Sequence, residues 1–165
     1  MAGTVTSCIR YRLATEADLP GIARVRTSVL ENLLTVAQLA ERGITNASVA
    51  ASFRGSAKGW VALCEAEIIG FAIADRQNHC LFALFVLPAY AVRGIGGHLL
   101  GPALAWLWAN GCQRAWLTTG PNTKAARFYE RRGWTAVGTD ATGDIRYECE
   151  CATAASSLTA TGPWS

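Results

Sequence analysis

Apolar and polar positions alternate along some stretches of the chain and recur at helical spacing along others, and the changes of period mark the elements. Ile9-Arg10-Tyr11-Arg12-Leu13 alternates as a half-buried strand does. Thr15-Glu16-Ala17-Asp18 has the form of a helix start, followed by Leu19, Ile22, Ala23, Val25 and Val29 at helical spacing. Thr35-Val36-Ala37-Gln38 fits a capping box for a second helix that ends near Gly43. Residues 44–57 admit either a short third helix or a loop. Two apolar runs, 59–64 and 68–74, flank a short connection and read as an antiparallel hairpin. A further strand over 80–87 continues the meander.

Pro88 ends that strand, because it brings no N–H to a ladder. A helical pattern then covers 94–110, with Gly111 as its cap. Pro102 inside it should remove one hydrogen bond and kink the helix, at a cost of about 3 kcal/mol that packing must offset. Strand 114–119, a turn at Gly120-Pro121-Asn122, helix 123–132 and strands 134–138 and 145–149 complete the order. The expected fold is mixed α/β (α+β): six or seven mostly antiparallel strands with helices on both faces. Its one parallel crossover is the unit 80–119. Residues 1–151 form one domain, and the small, polar tail 152–165 is expected to fray.

Between the apolar strand and the helix that follows lies Arg93-Gly94-Ile95-Gly96-Gly97. Glycines let a backbone approach a ligand closely, and the helix tip beyond them offers unpaired N–H groups and a partial positive charge. This is the form of a phosphate cradle. The spacing does not match a dinucleotide-binding G-x-G-x-x-G, and the Gly-Lys-Ser/Thr of a P-loop is absent.

Composition narrows the classes. Half the residues are apolar and 16% are charged, which is a globular composition. Fifteen basic against twelve acidic residues is too mild a balance to argue for nucleic acid. No apolar run approaches the roughly 20 residues of a membrane span, and the N-terminus lacks a secretion-signal pattern. Six scattered cysteines (Cys8, Cys64, Cys80, Cys112, Cys149, Cys151) form no C-x-x-C pair, and there are only two histidines. Reduced thiols, no metal and a cytoplasmic location are the expectation.

Asn122-Thr123-Lys124-Ala125-Ala126-Arg127-Phe128-Tyr129-Glu130-Arg131-Arg132-Gly133-Trp134 resembles the N-x-x-A-x-x-F-Y-x-x-x-G-[FW] signature of the GNAT superfamily of acetyl-CoA-dependent N-acetyltransferases. The glycine turn is similar to that family's pyrophosphate motif, so two motifs fall at the right separation over 82–134. The resemblance implies acetyl-CoA as acetyl donor, with the main chain of Leu84, Phe85 and Val86 pairing with its pantetheine arm as an added strand would. It implies that the N–H groups of Val92, Arg93, Gly94, Ile95, Gly96 and Gly97 hold the pyrophosphate, with Asn122, Ala125 and Phe128 on the cofactor side. Tyr129 would protonate the leaving thiolate. Two positions depart from the family: Ala91 stands where Gln or Arg is usual, and Leu117 where some members carry a catalytic Glu.

An unperturbed phenol, with a pKa of about 10, is protonated at neutral pH and can donate. Without the motif, Tyr129 beside Phe128 would read as a core aromatic, and Asn122 also reads as the N-cap of helix 123–132. The general base has three candidates, Glu31, Asp75 and Asp144, with Glu31 ranked first because the junction of the first two helices borders the acceptor site in this fold. The cluster Arg114, Lys124, Arg127, Arg131 and Arg132 reads equally as attraction for an anionic cofactor or as a solvated face. A rival route through an acyl-Cys80 has only His79 beside it, and neighbouring strand residues point to opposite faces.

The expected function is therefore acetyl transfer to a primary amine of a small molecule, by direct attack in a ternary complex. A protein N-terminal or lysine acetyltransferase and a non-catalytic acyl-CoA sensor are the alternatives. Leu30-Glu31-Asn32-Leu33-Leu34 reads as a partly hydrophobic acceptor wall or as core. Exposed tryptophans could support a homodimer.

Overall fold

A computed structural model describes residues 9–91 and 93–151. Seven strands form one sheet in the order β1-β2-β3-β4-β5-β7-β6. β1 (Ile9–Leu13), β2 (Ala57–Cys64), β3 (Glu67–Asp75) and β4 (Cys80–Val86) make an antiparallel meander. β5 (Arg114–Thr119), β7 (Ile145–Glu150) and β6 (Thr135–Thr139) make the other, also antiparallel, half. The halves join through one parallel contact, β4 to β5, at Cys80 and Trp116. The expected fold, including its single parallel crossover, is the one observed. Val92 and the tail 152–165 lie outside the described residues.

Helices cover both faces. α1 (Leu19–Arg26) and α3 (Asn46–Arg54) pack on one face, over Val61, Leu63, Ile68, Phe71 and Ile73. α4 (Ile95–Ala109) and α5 (Lys124–Arg131) cover the other, where Leu99, Ala103, Leu107, Ala126 and Tyr129 meet Ile69, Leu117 and Tyr147. The short helix α2 (Val36–Glu41) lies between α1 and α3 in the chain. At 1.5 Å rise per residue, α4 spans about 22 Å along the sheet.

Local chemistry sets the boundaries. Thr35 accepts from the Gln38 N–H at 3.1 Å while Gln38 accepts from the Thr35 N–H at 2.9 Å, closing the capping box over α2. The 44–57 segment resolves as α3, because Thr45 and Ser48 reproduce that box with a serine in place of the usual Glu or Gln. α4 runs through Pro102, which sits on its exposed side. One expectation is corrected: α5 is capped by Thr123, whose hydroxyl accepts from the Ala126 N–H at 3.0 Å. Asn122 stands one residue earlier in a left-handed conformation (φ 59°), so its side chain cannot hold the capping position.

Candidate active site

The two half-sheets part beyond Cys80. In the β3–β4 ladder, Ile73 pairs with Ala83 and Ala74 with Leu81, so Phe82 is an extra, bulged residue on β4. A bulge bends its strand and increases the twist, and here it lies two residues past the only β4–β5 pairing. From that point to Val86, β4 pairs with β3 on one edge and with no strand on the other. Main-chain N–H and C=O groups on that open edge lack ladder partners, as at the edge of any sheet.

The gap opens a cleft of about 1520 Å³ that passes from one face of the sheet to the other. Leu84, Val86, Phe128 and Tyr129 line it from the α4/α5 side, and Phe71, Ile73, Ala83 and Phe85 from the α1/α3 side. The glycine turn borders its first mouth. Gly94 holds a left-handed φ of 76° as the cap of α4, a conformation that costs other residues about 1–2 kcal/mol. A Cβ on Gly96 would lie 3.3 Å from the Phe128 ring, and one on Gly97 would lie 2.6 Å from Nη2 of Arg132. Bare glycine is what lets the first turn of α4 meet α5 this closely. Arg132 in turn sits 4.0 Å over the Phe128 ring, which places a cation beside the turn.

Lys124, Arg127, Arg131 and Arg132 all line the cleft, which favours the anion-attracting reading of the basic cluster over a purely solvated face. Arg114 does not belong with them: it pairs at 2.9 Å with Glu150, directly opposite it on the neighbouring strand β7. Among the residues singled out for the donor, Leu84, Phe85, Val86, Gly94, Gly96, Ala125 and Phe128 line the cleft. Arg93, Ile95, Gly97 and Asn122 do not line it; Ile95 is buried under α4, and Asn122 is exposed.

Tyr129 is only 5% exposed and packs edge-on against Phe128 and Trp134, with ring centroids 5.2 and 5.5 Å away. Its hydroxyl makes no hydrogen bond among the described residues, and no described buried side-chain oxygen or nitrogen is sealed off without a partner. The hydroxyl is therefore the part of the ring that reaches the cleft. Burial pushes its phenol pKa up, with the Arg132 charge drawing it back slightly, so the proton is held through neutral pH.

The three candidate carboxylates have separate fates. Glu31 lines the cleft, and its Oε1 accepts from the Lys124 N–H at 2.8 Å, at the tip of α5. Asp144 also lines the cleft, next to Ile145, which pairs with Thr119, and its side chain has no hydrogen bond among the described residues. Asp75 lies outside the cleft lining, where it accepts from Ser56, Gln77 and Asn78. Burial would raise its pKa, but those donors outweigh burial and lower it. It serves the β3–β4 turn.

Sequence reading passed over Asn32. Its Nδ2 donates to Thr119 Oγ1 at 3.1 Å and its Oδ1 accepts from the Gly120 N–H at 3.2 Å, across 87 and 88 residues of chain. A Cβ on Gly120 would lie 2.6 Å from that Oδ1. Glu31 and Asn32 thus strap the α1–α2 connection to the start of α5. Asn32 holds a φ of 58°, and asparagine tolerates that region better than most residues. Two polar residues set inside an apolar run were the only local sign of it.

Cys80 lines the cleft, but burial pushes its thiol up to about 12, with Asp75 adding to the shift. His79 sits in the preceding turn with a left-handed φ of 57°, not on the strand. A neutral buried thiol is a poor nucleophile.

The sheet thus opens between its fourth and fifth strands, with a glycine-capped helix at the opening. The chain belongs to the acetyltransferase (GNAT) family, whose model matches residues 30–134. No curated protein matches it. Among solved structures it is similar to the PaiA N-acetyltransferase of Thermoplasma acidophilum in complex with coenzyme A, with 18% identity and a TM-score of 0.69 over 87% of this chain and 99% of that one. An acetyltransferase of the GNAT family from Staphylococcus aureus is 16% identical with a TM-score of 0.71, over 86% and 98% of the two chains. Ard1 from Thermoplasma volcanium is 15% identical with a TM-score of 0.65, over 86% and 95%. No described helix is long and apolar enough to cross a membrane.

Proposed function

We propose that this chain transfers the acetyl group of acetyl-CoA to a primary amine of a small molecule, by direct attack in a ternary complex. The observation that carries the reading is the through-sheet cleft, with an open β4 edge, a glycine-capped helix tip and an unpaired Tyr129 hydroxyl around one space. The donor enters from the α4/α5 side. There the Gly94–Gly97 turn offers main-chain N–H groups to its diphosphate, and the cations of α5 neutralise the charge. The free edge of Leu84, Phe85 and Val86 hydrogen-bonds the pantetheine arm as an added strand would.

The acceptor enters from the opposite face. Glu31 keeps Oε2 free of hydrogen bonds to the described residues, and this oxygen takes the proton that the amine loses as the C–N bond forms. The Tyr129 hydroxyl gives its proton to the sulfur as the C–S bond breaks. Its raised pKa keeps that proton in place at working pH. The buried, neutral Cys80 supports direct transfer over an acyl-cysteine route.

The test is calorimetric titration of the protein with coenzyme A, followed by thiol release from acetyl-CoA across a panel of primary amines. Binding together with amine-dependent release is expected. Binding without release from any amine would favour a sensor role and overturn the catalytic reading.

A further inference from the structure

The acceptor side of the cleft carries a positive charge that no described carboxylate pairs with. Arg26, at the end of α1, lines the cleft with its guanidinium 4.2 Å over the Phe85 ring. One of its N–H groups, on Nη1, donates to the Asn32 carbonyl at 3.0 Å, and the remaining donors have no partner among the described residues. Arg42, at the end of α2, lines the same wall. Burial lowers the Arg26 pKa, and the Arg42 cation lowers it further, so the charge that bears on Arg26 has its own sign. Neither arginine forms an ion pair among the described residues. The first turn of α3, through Thr45 and Asn46, faces the same cleft and adds the partial positive charge of a helix start. A half-buried cation beside a second cation is unfavourable until an anion joins them.

The surroundings of this charged spot are apolar and exposed. Leu30, Leu33, Val36 and Phe82 are 81%, 57%, 69% and 48% exposed, and all four line the cleft. These are four of the seven large hydrophobic residues exposed among the described ones. An apolar wall interrupted by two unpaired guanidinium groups fits a ligand that is apolar with one anionic end. The planar fork of arginine matches a carboxylate in two parallel hydrogen bonds.

We propose that Arg26 and Arg42 form an anion subsite that seats the carboxylate of the acceptor, so that the amine substrate is an apolar amino acid or a close analogue of one. This rests on the acetyl-transfer reading above and names the acceptor class for that same site. The carboxylate docks on the α1–α2 wall, the side chain lies along Leu30, Leu33, Val36 and Phe82, and the amine is left facing the gap between β4 and β5.

The test uses the full chain, acetyl-CoA and three matched acceptor sets: L-leucine, L-phenylalanine and L-methionine, each beside its amide and its decarboxylated amine. In at least one set, kcat/KM for the acid should exceed that of both carboxylate-free partners about tenfold or more. Arg42→Gln and Arg26→Lys should each collapse that ratio towards one, chiefly by raising KM for the acid. Arg26 also holds the Asn32 carbonyl, so the exposed Arg42 supplies the variant with least risk to folding. Equal or better use of the carboxylate-free amines, turnover of none of the nine, or a ratio that survives both substitutions would overturn the subsite. Coenzyme A binding, measured separately by calorimetry, distinguishes the two failures. Its absence would bring down the acetyl-transfer reading, and this inference with it.

Discussion

Replacing Tyr129 with phenylalanine separates chemistry from packing, because the ring is held in the core while the hydroxyl reaches the cleft. The ring is buried against Phe128, Trp134 and Tyr147, and Tyr129→Phe keeps those contacts. The hydroxyl has no hydrogen bond among the described residues, so its removal forfeits none of the roughly 1 kcal/mol that an ordinary buried hydrogen bond contributes. Stability should therefore stay within about 1 kcal/mol of the parent, a change in Tm of less than roughly 4 °C for a domain of this size. Turnover should not stay level. Proton donation by a positioned side chain contributes about 10²–10⁴-fold. A thiol, with an ordinary pKa of about 8.5, leaves more readily than an alcohol, which points to the lower end of that span. The expected loss is about 100-fold in kcat, or about 2.7 kcal/mol of barrier. The assay is thiol release at saturating acceptor beside a thermal melt. Burial raises the phenol pKa, so the donor stays protonated as pH rises, and Tyr129 should cause no alkaline loss of activity below about pH 10. If Tyr129→Phe keeps kcat within about threefold, the donor role is wrong. A drop in stability of 2 kcal/mol or more would show instead that the hydroxyl is structural.

Glu31→Gln keeps an oxygen for the Lys124 N–H, so the start of α5 should hold while kcat falls about 100-fold; a kcat within about threefold of the parent, with Asp144→Asn producing the loss instead, would move the base to Asp144. Gly94→Ala forces a methyl group into a backbone with φ of 76° and should cost about 1–2 kcal/mol, read as a fall in Tm, and weaken coenzyme A binding in calorimetry. Cys80→Ala should leave turnover nearly intact, since a thiol pushed up to about 12 is neutral at working pH; complete loss would restore the acyl-cysteine route. Asp18 accepts from Arg12 at 2.8 and 2.9 Å and from the Thr15 N–H at 2.8 Å, and the Arg12 bonds chiefly hold its pKa below the usual value. Its contribution is present above the unfolded pKa of about 3.9 and lost as pH falls through the folded one. Asp18→Asn should therefore lower Tm at pH 6, with the difference from the parent closing as pH falls through the lowered folded-state pKa.

The local rules proved a good guide wherever an element is set by its own residues. The Thr35–Gln38 box, the Gly111 stop and the β4–α4–β5 crossover all follow from spacing and appear as expected. What escaped depends on distance along the chain. Nothing near Asn32 announces a bond to Thr119, because that bond exists only once two half-sheets have docked. The Phe82 bulge was hidden because Leu81, Phe82 and Ala83 form an unbroken apolar run with no alternation to slip against. Leu30 and Leu33 had two readings, wall or core, and their exposure beside the cleft speaks against the core. The described tryptophans are all buried or half-buried, and Trp164 lies outside the described residues.

One rung of backbone, Cys80 to Trp116, joins two stiff blades that are each zipped along their own length. Force applied inside the gap acts on that rung as on a pivot, while the Glu31 and Asn32 ties work at the rim as a tether of three weak links. A bulky guest that spreads the blades leaves both ladders whole but must break those tethers, worth about 1 kcal/mol each, and loosen the packing of Leu99, Leu107 and Tyr129 between the halves. The girth of what fits is then governed by the tether and that shared core together.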